Sequence, residues 1–401
     1  RQFSKEGTFS AVSKQLPRLK SMGVDIIWLM PIHPIGVKNR KGSLGSYYAV
    51  QDYQKVNEEF GNMDDFRSLV KEAHKLNMRV IIDWVANHSS PDNVWITEQG
   101  HLDWYTLDST GNVQPTIGTD WWDVADLNYD NPTMRKEMIN SMKYWLTEAD
   151  IDGFRCDVAG WVPLDFWMEA RAELQAVKPI FMLAEAEEVP LHDAFEMTYG
   201  WNFHHIMNDV AKGKKDATAI QEYVKTNKYP GNAYRMNFTS NHDENSWNGT
   251  IQSRLGAAEE AMTALTYVMP GMPLVYSGNE YGLKHSLKFF EKDSIPKTKG
   301  KDWELRAKLG QLKNENSALN GGKNSASYKR ITTNDDTKIL AFEREKDGKK
   351  IIYIANLSNQ TIETKIQLKG DFTDYMSGYK IQFRSDSPIG LKAWQYLILT
   401  N

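Results

Sequence analysis

Residues 79–88 read Arg79-Val80-Ile81-Ile82-Asp83-Trp84-Val85-Ala86-Asn87-His88. The run is bulky and β-branched with no polar alternation, as in a strand covered on both faces, and it ends in Asp, Asn and His rather than in a plain turn. Upstream, Val24-Asp25-Ile26-Ile27-Trp28-Leu29-Met30 has the same character. Between the two, Phe66, Leu69, Val70, Ala73 and Leu76 recur at three- and four-residue steps, which puts one apolar stripe on a helix. Strand, covering helix and strand make a βαβ unit, and its two strands must run parallel.

The alternation continues downstream. Met134, Met138, Ile139, Met142, Trp145 and Leu146 form a second helical stripe, opened by Asn131 as N-cap and Pro132 in the first turn. Further strands are expected at 153–157, 180–184, 195–199, 235–238 and 274–276. A βα repeat of this length predicts an α/β protein built on a (β/α)8 TIM barrel, with its functional side chains on the loops after the strands. The first strand is expected upstream of residue 1, because Arg1-Gln2-Phe3 leads directly into a helical pattern of Phe9, Val12, Leu16, Leu19 and Met22. Pro17 lies inside that pattern and is expected to kink the helix.

Two segments break the rhythm. Residues 88–130 are irregular, rich in Trp and Asp, and too long for an ordinary βα loop, so a short inserted subdomain is expected after strand 3. From about residue 325 the pattern changes to short runs at 338–344, 350–354, 364–368 and 393–399, with turn pairs such as Asp347-Gly348 between them. That predicts a C-terminal antiparallel β-sandwich domain. The domain reading is a barrel over 1–87 and 133–324, an insert over 88–132 and a β domain over 325–401.

Composition narrows the class. The chain has 401 residues, and 48 Lys+Arg against 52 Asp+Glu leave a net charge of −4. No nucleic-acid partner is expected from that balance. The longest apolar run, around 24–32, is far shorter than the roughly 20 residues of a bilayer span, so no membrane span is expected. The single Cys156 excludes an internal disulfide framework and a cysteine-based zinc site. No charged leader followed by an apolar segment opens the chain, which leaves the compartment open, with a secreted or periplasmic location favoured.

The polar residues at the strand ends carry the chemistry, because acidic groups placed after buried β runs are costly unless they are used. The clusters are Asp83 to His88, Gly153-Phe154-Arg155-Cys156-Asp157, Ala184-Glu185-Ala186-Glu187 and Ser240-Asn241-His242-Asp243-Glu244. Asp157, Glu185 and Asp243, with Arg155, suit glycoside hydrolysis, which needs one group to protonate the leaving oxygen and a carboxylate to meet the oxocarbenium-like carbon. Arg155, two positions before Asp157 on one strand, projects to the same side and favours its ionised form, so Asp157 is the nucleophile candidate. Glu185 ends an apolar run, where desolvation favours the protonated form, so it is the acid/base candidate. Any one of these acids alone reads better as a loop cap or a structural ion pair. The Asp/His pairs also suit a metal-dependent hydrolase barrel.

Taken in order, these clusters resemble the α-amylase family of retaining α-glucoside hydrolases, glycoside hydrolase family 13. Asp83 to His88 fits its D-x-V-x-N-H, Gly153 to Asp157 its G-F-R-x-D, Glu185 its acid/base region and Asn241-His242-Asp243 its N-H-D. Tyr48-Ala49-Val50-Gln51-Asp52-Tyr53 and Ala125-Asp126-Leu127-Asn128 resemble two further family stretches, and the likeness runs over about residues 5–320. The resemblance implies Asp157 as nucleophile, Glu185 as general acid/base and Asp243 as the carboxylate that grips sugar hydroxyls and stabilises the transition state. It also implies substrate contacts from Tyr48, His88, Arg155 and His242, with Tyr48 stacking on the sugar and Arg155 positioning the nucleophile. The implied activity is endo-hydrolysis of α-1,4 bonds in starch or maltooligosaccharides with retention. The alternatives are a neopullulanase, cyclomaltodextrinase or oligo-1,6-glucosidase-like hydrolase, a glucan transferase with the same site, or a non-catalytic glucan-binding protein.

The chain also departs from the pattern. Val158-Ala159-Gly160-Trp161 follows the nucleophile where many relatives have Ala-x-Lys-His, and Ser4-Lys5-Glu6-Gly7 offers few oxygen ligands to a hard cation. The chemistry requires no cofactor, a structural calcium stays open, and no metal ligand is assigned. Trp121-Trp122 is expected in the core of the insert, and Glu187, Glu188, Glu244 and Glu280 are expected to be solvated or structural, with Glu280 the best outside candidate for a role near the eighth strand.

Overall fold

The structure, a computed structural model, describes residues 1–384 and 387–400 and divides into two compact units. The first comprises residues 1–198 and 287–296, the second residues 199–286 and 297–401.

The first unit opens with two short helices, α1 (Phe9–Ser13) and α2 (Leu16–Ser21), in place of one kinked helix. Pro17 falls in the first turn of α2, where its missing N–H has no intrahelical partner to lose, which is why it is tolerated. Then come β1 (Ile26–Leu29), α3 (Met63–Lys75) and β2 (Arg79–Trp84). Asn62 and Asp65 close a capping box on α3, which buries Phe66, Leu69, Val70 and Ala73. The 88–130 segment carries β3 (His88–Ser89), α4 (Val94–Thr97) and β4 (Ala125–Asp126), with β3 and β4 antiparallel. Val124 of this segment packs with Ile35 and Ala49 of the loop after β1 into a small core, flanked by a partly buried Trp121, whereas Trp122 is 65% exposed. Only one of the two tryptophans is therefore core.

Helix α5 (Pro132–Glu148) starts at Asn131, whose side chain accepts from the N–H groups of Thr133 and Met134. Strands β5 (Gly153–Cys156), β6 (Phe181–Ala184) and β7 (Met197–Tyr199) follow, with α6 (Leu164–Gln175) between β5 and β6. β1 pairs parallel with β2, β2 with β5, β5 with β6 and β6 with β7. Gly153 is required at the start of β5: its φ is +148°, and a Cβ there would lie 1.8 Å from the Phe181 carbonyl oxygen of β6. Among the described residues no strand precedes α1.

The second unit contains α7 (Trp201–Ala211), α8 (Thr218–Thr226), β8 (Tyr234–Asn237), α9 (His242–Trp247), α10 (Ile251–Leu255), α11 (Glu259–Val268), β9 (Met272–Pro273) and α12 (Lys301–Glu315). β8 and β9 pair parallel. The expected strand at 274–276 is not formed: the paired segment is Met272–Pro273, because its partner β8 ends at Asn237, opposite Pro273. The Leu274 N–H, donating to the Asn237 carbonyl at 2.9 Å, extends the ladder by one bond.

The remainder of this unit is antiparallel. It comprises β10 (Lys329–Arg330), β11 (Ile339–Lys346), β12 (Lys349–Asn356), β13 (Ile362–Thr364), β14 (Gly370–Asp374), β15 (Lys380–Phe383), β16 (Ile389–Leu391) and β17 (Tyr396–Thr400). Their orders are β10-β11-β12-β17-β14-β15 and β13-β16. Asp347 and Gly348 turn β11 into β12 with both φ values positive, the twist a tight hairpin needs.

Candidate active site

In the first unit the parallel register places Asp83 opposite Arg155, and Cys156 opposite Ala184. Asp157 and Glu185 are the next residues along β5 and β6, so the two acids leave neighbouring strands side by side. Arg155 is fully buried and reaches all of them. Its Nη1 lies 2.9 Å from Asp83 Oδ1 and 2.9 Å from Asp157 Oδ1, and its Nη2 lies 2.8 Å from Glu185 Oε1. The two Nη1 contacts are charge-assisted hydrogen bonds, the stronger class, the Nη2 contact is an ion pair, and the planar fork holds its partners in fixed geometry.

Asp83 forms the floor of the cluster. Its Oδ2 accepts from the Tyr48 hydroxyl at 2.9 Å and from Trp28 Nε1 at 3.1 Å. Burial pushes its carboxyl upward from the usual range, against the pull of the Arg155 guanidinium. Three carboxylates surround one cation, so full ionisation leaves the cluster in negative excess, which favours keeping a proton within it. The Arg155 guanidinium also lies 5.0 Å from the Trp28 ring centroid. Tyr48 is buried, with its ring stacked on Phe289 at 6.2 Å.

The residue after Asp157 has unusual backbone geometry. Val158 sits at φ +36° and ψ +46°, the left-handed region that a β-branched residue enters at a cost of roughly 1–2 kcal/mol. In that conformation its N–H donates to Glu185 Oε2 at 2.9 Å. Glu185 is thus gripped on one oxygen by Arg155 and on the other by backbone.

His88 is buried at the edge of the insert, and burial pushes its pKa down to about 3, so the ring is neutral. The Asn87 side-chain amide donates to its Nδ1 at 3.1 Å, which assigns the proton to Nε2. The ring meets Trp121 edge to face at 5.6 Å.

In the second unit, Asn241 caps α9 by accepting the Glu244 N–H at 2.8 Å, and His242 Nε2 lies 3.3 Å from Asp243 Oδ2. Glu244 is buried, with its Oε2 3.1 Å from His204 Nε2 and 3.6 Å from Arg254 Nη1, a pairing that fixes the start of α9. Glu280 accepts the Gly278 N–H at 2.7 Å and shapes its own turn. Among the described residues no group of three His, Cys, Asp or Glu side chains could hold a metal ion.

The first unit therefore brings Tyr48, Arg155, Asp157 and Glu185 together around Asp83, with His88 in the neighbouring insert. Asp83 is the member that sequence reasoning left without a role, although an acid closing an apolar strand was the available signal. Nothing local marks Trp28 or Phe289, which arrive through the fold.

A family model described as "Alpha amylase, catalytic domain" matches residues 2–354. The chain belongs to the α-amylase family. It is a glycoside hydrolase of family 13, with the (β/α)8 barrel of that family and a C-terminal antiparallel β domain. The family match extends beyond the 5–320 expected from the motifs. Among solved α-amylase-family structures, the noncanonic maltogenic α-amylase AmyB of Thermotoga neapolitana is 30% identical with a TM-score of 0.90, over 100% of this chain and 97% of that one. An α-amylase from Lactobacillus plantarum is also 30% identical, with a TM-score of 0.88, over 100% and 96%. The α-amylase MalA of Haloarcula japonica is 25% identical across 93% of this chain, which spans 56% of that relative's length. Among the described residues no helix is long and apolar enough to cross a membrane.

Proposed function

We propose that the protein cleaves internal α-1,4-glucosidic bonds of starch-type glucans or maltooligosaccharides by retaining double displacement. The observation that carries the reading is the Arg155 guanidinium, which binds Asp157 and Glu185 at once. One guanidinium in contact with both carboxyl groups keeps them close together, which favours the retaining arrangement, whose two carboxyl groups stand about 5–5.5 Å apart. Inverting pairs stand further apart to admit a water.

In the first step an Asp157 oxygen attacks the anomeric carbon. The glycosidic C–O bond breaks, and the Glu185 proton passes to the departing sugar oxygen. The product is a glycosyl ester on Asp157 with inverted configuration. In the second step Glu185, now ionised, removes a proton from water as its oxygen attacks the same carbon, and the ester bond breaks to free the Asp157 carboxylate. Two inversions give net retention. Arg155 keeps Asp157 anionic and aimed, while the Val158 N–H and Arg155 orient Glu185. His88, with its proton on Nε2, is a hydrogen-bond donor for a sugar hydroxyl. Asp243 and His242, in the N-H-D motif, are assigned to gripping the sugar hydroxyls as charge develops. No step needs a metal or an organic cofactor.

A second reading, release of maltose or turnover of short and cyclic oligosaccharides, is favoured by the 30% identical maltogenic relative. Reducing-sugar release from starch, pullulan and cyclodextrins, by the protein and by Asp157→Asn, tests both. Loss of release by at least about a thousandfold in Asp157→Asn supports the mechanism, and unchanged release removes it. Faster turnover of pullulan or cyclodextrins than of starch replaces the first reading with the second. Products longer than the substrate would identify glucan transfer.

A further inference from the structure

His88 stands at the end of a chain of hydrogen bonds that starts three side chains away, on the other strand of the insert's small ladder. β3 and β4 set His88 opposite Asp126. Each Asp126 oxygen is taken by a threonine: Oδ2 accepts from the Thr106 hydroxyl at 2.8 Å and Oδ1 from the Thr116 hydroxyl at 2.7 Å. Thr116 Oγ1 in turn lies 2.9 Å from Asn87 Nδ2, which lies 3.1 Å from His88 Nδ1. Backbone bonds frame the set, with the Leu127 N–H donating to the Asn87 carbonyl at 3.1 Å and the Thr106 N–H to the Asp126 carbonyl at 3.0 Å.

The direction of every proton in the chain follows from its first member. A carboxylate only accepts, so the single Thr116 hydroxyl proton goes to Asp126. Thr116 Oγ1 can then only accept on its other side, and the Asn87 atom facing it must be the nitrogen. An amide turned over would set two acceptors against each other. The second hydrogen of the same nitrogen points at His88 Nδ1, which has to accept it, and the ring proton is left on Nε2. Among the described residues Nε2 has no hydrogen-bond partner, so it is the donor available to a ligand. With no such chain, the Asn87 oxygen could face the ring instead, accept from Nδ1–H and leave Nε2 bare.

We infer that Asp126 and Thr116 are positioning residues for the reaction, which act through Asn87 to hold His88 in the tautomer that donates from Nε2 to a sugar hydroxyl. The inference rests on the part given to His88 in the glucan-cleaving reading above. It makes a carboxylate and a hydroxyl of the insert control a proton on a ring that neither of them touches.

The test reads the tautomer directly. With 15N-labelled histidine, the ring nitrogens of His88 are assigned by their loss in His88→Gln. Burial pushes the pKa of His88 down to about 3, so a spectrum at pH 7 reports the tautomer and not the charge. One fixed tautomer keeps the two ring resonances far apart, and exchange between two draws them together. The parent and Thr116→Ser, which keeps the hydroxyl, should show the fixed Nε2–H pattern, while Thr116→Val and Asp126→Asn should narrow the separation. Those two variants should also lower kcat/KM on maltoheptaose by about threefold to tenfold, the worth of roughly one hydrogen bond. In the His88→Gln background Thr116→Val should add no further loss, because its effect passes through that ring. A parent with the proton on Nδ1, or a pattern unchanged in both Thr116→Val and Asp126→Asn, overturns the inference. So does a shift on adding calcium to protein freed of metal by a chelator, for a cation would then orient Asn87 in place of the Thr116 proton. Failure of the function reading looks different: Asp157→Asn would keep its full hydrolytic rate, whatever the His88 spectra show.

Discussion

Arg155→Lys is the most informative single change, because it keeps the charge and removes the fork. The arginine makes contacts of 2.9, 2.9 and 2.8 Å to three different carboxylates through two nitrogens. A lysine brings one nitrogen on a shorter stem and cannot reach all three. Losing one to two hydrogen bonds to charged groups, at about 1.5–3 kcal/mol each, predicts a loss of about 3 kcal/mol in stability. The catalytic effect is expected to be larger than the stability effect. Asp157 released from its clamp by about 1 Å should lower kcat by about a hundredfold. KM for a long maltooligosaccharide should change little, since Arg155 is fully buried beneath the carboxylates. Initial rates on maltoheptaose give the kinetic terms, and thermal or urea unfolding followed by tryptophan fluorescence gives the stability. A variant with kcat within threefold of the parent and an unchanged unfolding midpoint would refute the reasoning, for it would mean that charge alone, and not the bidentate geometry, organises the acids.

Other consequences concern stability. His33 is fully buried against Trp84, Trp145 and Tyr53, its Nδ1 lies 3.3 Å from the Lys55 carbonyl and its Nε2 has no hydrogen-bond partner among the described residues. Burial pushes its pKa down to about 4 from 6.5, so the unfolded chain takes up its proton first as the pH falls. Its contribution is whole above pH 6.5 and lost progressively toward pH 4, about 3 kcal/mol in all, and His33→Asn should flatten that part of the stability-against-pH curve. An equally steep curve in the variant would count against it. Gly153→Ala should abolish accumulation of soluble folded protein, because the new Cβ meets the Phe181 carbonyl oxygen at 1.8 Å and β5 cannot pair with β6. A folded, active Gly153→Ala protein would contradict that register. Val158→Gly removes the Cβ from a left-handed backbone, a relief of roughly 1–2 kcal/mol offset by about 0.5–1 kcal/mol of glycine's chain entropy. The melting temperature should hold or rise slightly, and a clear fall would show that Val158 packing outweighs its backbone strain.

Much of this molecule was legible along the chain. The strand at 79–84, the stripe of α3, the Asn131 cap and the change to antiparallel runs near residue 325 all follow from patterns a few residues long. So does the pairing of Arg155 with Asp157, since alternate residues of one strand share a side. Pro17 was visible, but its effect depended on whether the helix could restart, and the break after Ser13 places it in a new first turn. The 274–276 run had strand composition without a paired partner at that level, and composition does not carry pairing.

By itself the sequence determined which residues bear charge at strand ends and in what order, and hence the family and its reaction class. The tertiary structure decided what meets what: Asp83 and Glu185 on Arg155, Trp28 and Tyr48 on Asp83, Trp121 on Trp161. The physical reason is that local propensity and hydrophobic period act within a few residues, whereas parallel register and loop packing join positions dozens of residues apart. Those long-range choices belong to the whole core, and no short segment states them.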